Sequence, residues 1–114
     1  MKLPNATIYK YKLPTPLTQE PGVPFVITMP MEWEILHVGY DTGFSIQDRV
    51  IDKPVPCLWA CVDLDENGEA YANYDQPFML LMTGQPYNSD DWRWVGVYLY
   101  EHLVVHILFL DDGR

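Results

Sequence analysis

Apolar and polar residues alternate over Thr7-Ile8-Tyr9-Lys10-Tyr11-Lys12-Leu13, a period of two that predicts a half-buried strand with Lys10 and Lys12 facing water. Pro14, Pro16, Pro21 and Pro24 then exclude regular structure, and an extended surface connection is expected up to Phe25. Phe25-Val26-Ile27-Thr28-Met29 reads as a second strand stopped by Pro30, and Trp33 to Tyr40 as a third. Asp41 to Pro56 is polar, with Gly43 and two prolines, and reads as a long loop in which Ser45 to Ile51 forms at most one short helical turn. Cys57 to Leu64 is apolar on both faces, the pattern of a central or doubly covered strand. Asp65-Glu66-Asn67-Gly68 carries tight-turn chemistry, which pairs that strand with Glu69 to Tyr74 in a hairpin. Phe78 to Met82 is a further strand, followed by a break at Thr83-Gly84-Gln85-Pro86 and an acidic loop, Asn88-Ser89-Asp90-Asp91.

The last segment reads as a hairpin of Trp92 to Tyr100 and Leu103 to Leu110 around a Glu101-His102 loop. Simple alternation places Trp94, Gly96, Tyr98, Ile107 and Phe109 on one face, and Val95, Val97, Leu99, Val104, His106 and Leu108 on the other. Both faces are apolar, so the second calls for cover from another sheet, a second subunit or a ligand. The same alternation sets Trp92, Trp94, Tyr98 and Tyr100 in one row, with a recess at Gly96 suited to core filling, a protein interface or a flat ligand. About seven short strands with frequent turn signals predict a mainly β chain, a small antiparallel β-sandwich or partly open barrel.

A chain of 114 residues with 48% hydrophobic and 14% aromatic residues is expected to form a single globular domain over residues 1–114. Its formal charge of −9, with only seven lysines and arginines, argues against a duplex nucleic acid partner, whose phosphates are bound through released counterions. A small phosphate ligand needs only one or two cations and is not excluded by charge. No signal peptide and no long apolar run is present, so a cytoplasmic protein without a membrane partner is expected. Cys57 and Cys61, four strand positions apart, have Cα atoms separated by about 13 Å, too far to bridge, and read as small buried hydrophobes.

The histidines of His102-Leu103-Val104-Val105-His106 have the spacing of a metalloprotease helix motif but lack its glutamate and sit among β-formers. Asp63-Leu64-Asp65-Glu66-Asn67-Gly68 matches the first half of a calcium loop, yet its twelfth position is Tyr74, and a hairpin turn explains the same residues. No serine, cysteine or threonine has a supporting base, and Asp90-Asp91 and Asp111-Asp112 point opposite ways on an extended chain. No catalytic residue, metal or cofactor is therefore expected. Thr83-Gly84-Gln85 is the most distinctive loop, because a glycine between a hydroxyl and an amide lets backbone N–H groups approach a ligand, an anion above all. Arg93 and Trp94 would add a cation and a stacking surface if the hairpin folds over that loop.

Ile8-Tyr9-Lys10-Tyr11 with Leu13, Met29-Pro30, Ile35-Leu36-His37-Val38, Pro56-Cys57-Leu58-Trp59-Ala60 with Val62-Asp63, Thr83-Gly84 with Pro86, Val95-Gly96, and Leu103-Val104 with His106 occur in this order along the chain. Together they resemble a small domain family of unknown function found in phages and their bacterial hosts. The chain departs from that pattern at Met82, where a glycine is usual, at Gln85, where a histidine is usual, and in a longer loop from Asp41 to Asp52. The resemblance implies a compact β fold and a phage-like setting, and no reaction.

In that setting the expected function is non-enzymatic: a counter-defence protein that sequesters a small nucleotide-type signal as a homo-oligomer. Its ligand contacts would come from Thr83, Gly84, Gln85, Arg93, Trp94, Lys10 and Trp59, with Lys12 and Lys53 as further phosphate contacts. Its subunit interface would use Trp92, Tyr98, Tyr100 and Phe109. The alternatives are an acidic inhibitor of a host defence protein, a phage structural or assembly protein, and an enzyme whose site only the fold assembles.

Overall fold

β-Branched and aromatic runs punctuated by proline and glycine become seven strands: β1 (Ala6–Lys12), β2 (Phe25–Pro30), β3 (Trp33–Asp41), β4 (Val55–Asp63), β5 (Asn73–Met82), β6 (Trp92–Tyr100) and β7 (Leu103–Leu110). The computed structural model describes residues 5–41 and 54–111. Among these the strands form two antiparallel sheets, the first in the order β1-β4-β3 and the second in the order β2-β5-β7-β6. The result is a β-sandwich and not a closed barrel, with no helix among the described residues.

β4 is apolar on both faces because it is the centre of the first sheet. Its Leu58, Ala60 and Val62 point inward and are fully buried against Phe78 and Leu80 of β5, Val105 and Ile107 of β7, and Met29 of β2. Trp33 locks the two layers, its ring centre 5.0 Å from that of Phe109 and 6.2 Å from that of Phe78. The buried polar side chain among the described residues, Gln76, is satisfied: Trp33 Nε1 donates to Tyr74 Oη at 2.6 Å, and Tyr74 Oη donates to Gln76 Oε1 at 2.5 Å. Gln76 Nε2 donates to Leu110 O at 2.8 Å and to Pro77 O at 3.1 Å, closing the β5–β7 seam where Pro77 has no N–H to give.

Two β-bulges decide which residues reach which face. In β3 the register skips Leu36, so Ile35 pairs with Ala60 inside while His37 pairs with Trp59 outside. In β6 it skips Val95, so Trp94 pairs with Leu108 while Gly96 pairs with Ile107. The adjoining β3 and β6 then approach closely: a Cβ at Gly96 would lie 2.8 Å from Val38 Cγ2.

The second bulge overturns the simple alternation of the last hairpin. Trp92 and Trp94 share the outer face with His106 and Leu108, whereas Gly96, Tyr98 and Tyr100 turn inward with Val105, Ile107 and Phe109, so the aromatic row is split between two faces. The Glu101-His102 loop stands as expected, with Glu101 in the left-handed region at φ 55°. The expected pairing of β4 with residues 69–74 is also corrected. Only a single bridge, Leu64 to Ala70, follows the 65–68 turn, after which the chain changes sheets. Residues 73–82 are one strand through Pro77, not two. The expected turn at Ser45 to Ile51, and Lys53, lie outside the described residues.

Candidate functional site

β5 and β6 each pair antiparallel with β7, which lies between them, so they are parallel to one another. Met82 ends β5 beside Val105, and Trp92 starts β6 beside Leu110, so residues 83–91 must travel the length of β7. They do so over the outer face. Beneath them Met79, Leu81 and Leu108 are buried, with Trp92 packed alongside. The second apolar face is therefore partly covered by the chain's own connection, while Trp94 and the far end, Val97, Leu99 and Val104, remain exposed.

Between this connection and the sheet lies an open cavity of about 310 Å³. Leu81 and Leu108 form an apolar floor, Thr83, Gly84, Gln85 and Tyr87 the connection side, and Trp94 and His106 the hairpin side. Trp94 is 55% exposed, an unusual state for an indole and one that leaves ring surface open to the cavity.

Hydrogen bonding fixes the polar groups here. An indole N–H only donates, so Trp94 Nε1, 3.0 Å from His106 Nδ1, makes that nitrogen the acceptor. His106 then carries its proton on Nε2 and donates to Thr83 Oγ1 at 2.9 Å. The turn is equally defined. Gly84 supplies a φ of 94°, which its missing Cβ makes cheap, Gln85 N donates to Met82 O at 3.0 Å, and Gln85 Oε1 accepts from Met82 N at 2.7 Å. The Gln85 N–H that an anion nest would use is thus consumed within the turn.

Of the seven expected ligand contacts, the fold brings Thr83, Gly84, Gln85 and Trp94 together. Arg93 points away from them: it alternates with Trp92 and Trp94, donates to Ser89 O at 2.6 Å, and lies 3.5 Å from the Asp111 carboxylate. Lys10 and Trp59 stand opposite one another on the outer face of the first sheet, on the other side of the sandwich. There His37 packs on Trp59 at 5.4 Å between ring centres, and Lys10 pairs with Asp41, whose hydrogen bond holds the ammonium above its ordinary range. Lys12 stands beside Cys57 on that face.

The expected interface residues divide between the core and the outer cluster. Tyr98 is buried, donating to Pro14 O at 2.6 Å with Tyr40 set edge-on at 5.8 Å, and burial pushes its phenol well above the ordinary range. Tyr100 and Phe109 pack on the same core, and Trp92 covers the outer cluster. His106 and Tyr87 are the polar cavity residues that sequence reasoning missed, beside the apolar Leu81, Met82 and Leu108. Alternation sent His106 to the face opposite Trp94, and only the bulge at Val95 reunites them.

A wider cleft of about 520 Å³ is lined by Met31, Glu32, Trp33, Tyr74, Gln76 and neighbours. The polar side chains at its base bond to one another, which makes it a seam of the fold. At the 65–68 turn, Asp65 Oδ1 accepts from the N–H groups of Asn67 and Glu69 at 2.8 and 3.0 Å, a turn cap rather than a vacant ligand. Cys57 and Cys61 are free thiols. Among the described residues no helix is long and apolar enough to cross a membrane.

No curated protein and no solved structure is significantly similar to this chain. A family model described as a domain of unknown function, DUF7352, matches residues 4–113, and the chain belongs to that family.

Proposed function

We propose that the protein is a non-enzymatic binding domain that captures a small planar, nucleotide-type ligand in the cavity between residues 83–87 and the β6–β7 hairpin. One observation carries the reading: an exposed indole, Trp94, forms one wall of an apolar-floored cavity whose other walls present a hydroxyl, an amide and an imidazole. That combination, an apolar surface with a few placed polar groups, is what small-molecule sites use, and stacking on an indole is indifferent to net charge. The formal charge of −9 disfavours a polyanion but leaves a single flat ring unopposed. In the phage-like setting implied by the resemblance, such a domain would act by sequestering a nucleotide signal away from a host sensor.

The test is a thermal-shift survey with linear and cyclic nucleotides and their nucleosides at millimolar concentration, on the native chain and on Trp94→Ala. At least one compound is expected to raise Tm for the native chain and to lose that effect in the variant. A flat response across the whole panel rules the reading out. Salt-sensitive capture of a basic protein, with no nucleotide effect, would favour the acidic-inhibitor alternative instead.

A further inference from the structure

The hydrogen bonds already made inside the cavity bear on the kind of edge a ligand must present, an inference that rests on the binding reading above. Thr83 Oγ1 already accepts the His106 Nε2 proton, so its own O–H is left to donate. Gln85 Oε1 already accepts from Met82 N, while its NH2 group, again a donor, makes no hydrogen bond of its own among the described residues. Both nitrogens of His106 are engaged, one by Trp94 and one by Thr83. Tyr87 can act either way at the rim. Among the described residues no carboxylate, ammonium or guanidinium lines the cavity: Arg93 is turned to Ser89 O and Asp111, and Lys10 lies on the far side of the sandwich.

We infer that the cavity selects an uncharged planar ring by an edge that offers two adjacent hydrogen-bond acceptors to these donors, the chemistry of guanine O6 and N7, and leaves any phosphate in solvent. Adenine sets an amino donor beside N7, where it meets a second donor instead of an acceptor. Two unmatched donors inside a partly closed site are what make such an edge mismatch costly. Without a cation, a phosphate contributes nothing to affinity here and gains only repulsion from an acidic protein.

The experiment compares guanosine, adenosine and GMP by calorimetric titration against the native chain, Thr83→Val and Gln85→Glu. Gln85→Glu keeps an oxygen to cap Met82 N while replacing the donor group by an acceptor, and both positions are exposed, so Tm without ligand serves as the folding control. Guanosine and GMP are expected to bind within about threefold of each other, with adenosine at least tenfold weaker. Each variant is expected to weaken guanosine by about tenfold, the scale of one lost hydrogen bond. If adenosine binds as well as guanosine, the edge assignment is wrong, and if GMP binds well and guanosine does not, the phosphate is held after all; in either case the binding reading stands. If none of the three binds and the wider panel is also flat, both fall.

Discussion

Gly96 of β6 lies so close to Val38 of β3 that a Cβ at position 96 would come within 2.8 Å of Val38 Cγ2 and 2.9 Å of Val38 Cβ. The glycine is what lets the edges of the two sheets approach, and it follows directly on the bulge that aims Trp94 outward. Packing of the sandwich and placement of the cavity wall are thus set within three consecutive residues.

Gly96→Ala is accordingly expected to destabilise the fold by about 1–3 kcal/mol, because the methyl group meets a branched side chain that has little room to retreat. Urea unfolding of Gly96→Ala in the native and Val38→Ala backgrounds checks the cause. The penalty should shrink when Val38 is shortened, and an unchanged penalty would place the strain elsewhere.

Tyr98 predicts how stability depends on alkaline pH. Burial raises its phenol above the ordinary tyrosine value of 10.0, so the folded chain holds that proton more tightly than the unfolded chain does. The associated stability is fully present below pH 10 and is lost as pH rises from there towards the folded-state value. Tyr98→Phe should flatten the fall of stability between neutral pH and pH 11, though not abolish it, because burial also raises Tyr11 and Tyr40. An identical slope in the variant would mean that the phenol is solvated.

The two thiols should differ in reactivity. Cys57 is 1% exposed and burial raises its thiol further, whereas Cys61 is partly open on the same outer face. Ellman's reagent is expected to label about one thiol quickly in the native protein and both in denaturant, with Cys61→Ser removing the fast phase.

Gln76→Leu preserves side-chain volume but strands Leu110 O and takes the acceptor from Tyr74 Oη. A loss of about 1–3 kcal/mol in urea unfolding is expected, the cost of breaking a part-buried hydrogen-bond network. A neutral substitution would show that water replaces the amide.

Strand existence was legible in the sequence because period-two patterns and proline stops are local: β1, β2, β3 and β7 fall close to where alternation puts them. The 65–68 turn was legible as a turn but not as a change of sheet, since Asp65 caps the same turn whichever partner β5 later takes. The faces of β6 were not legible. One skipped residue, Val95, exchanges Trp94 for Gly96 on a given face, and nothing local marks it. The same skip explains the candidate site, whose Thr83, Gly84, Gln85 and Trp94 were named from the sequence while His106, their hydrogen-bonded partner, was not. Residue type alone grouped Lys10, Trp59 and Arg93 with them, although strand order puts two on the opposite sheet and turns the third away.

The most direct test of the cavity is the indole N–H spectrum of 15N-labelled protein titrated with GMP, with the Trp94 signal assigned through Trp94→Phe. Ring stacking over the cavity should shift the Trp94 signal in a saturable way and leave those of Trp33 and Trp59 in place. A Trp94 signal that stays fixed while that of Trp59 moves would put binding on the first sheet and contradict the account.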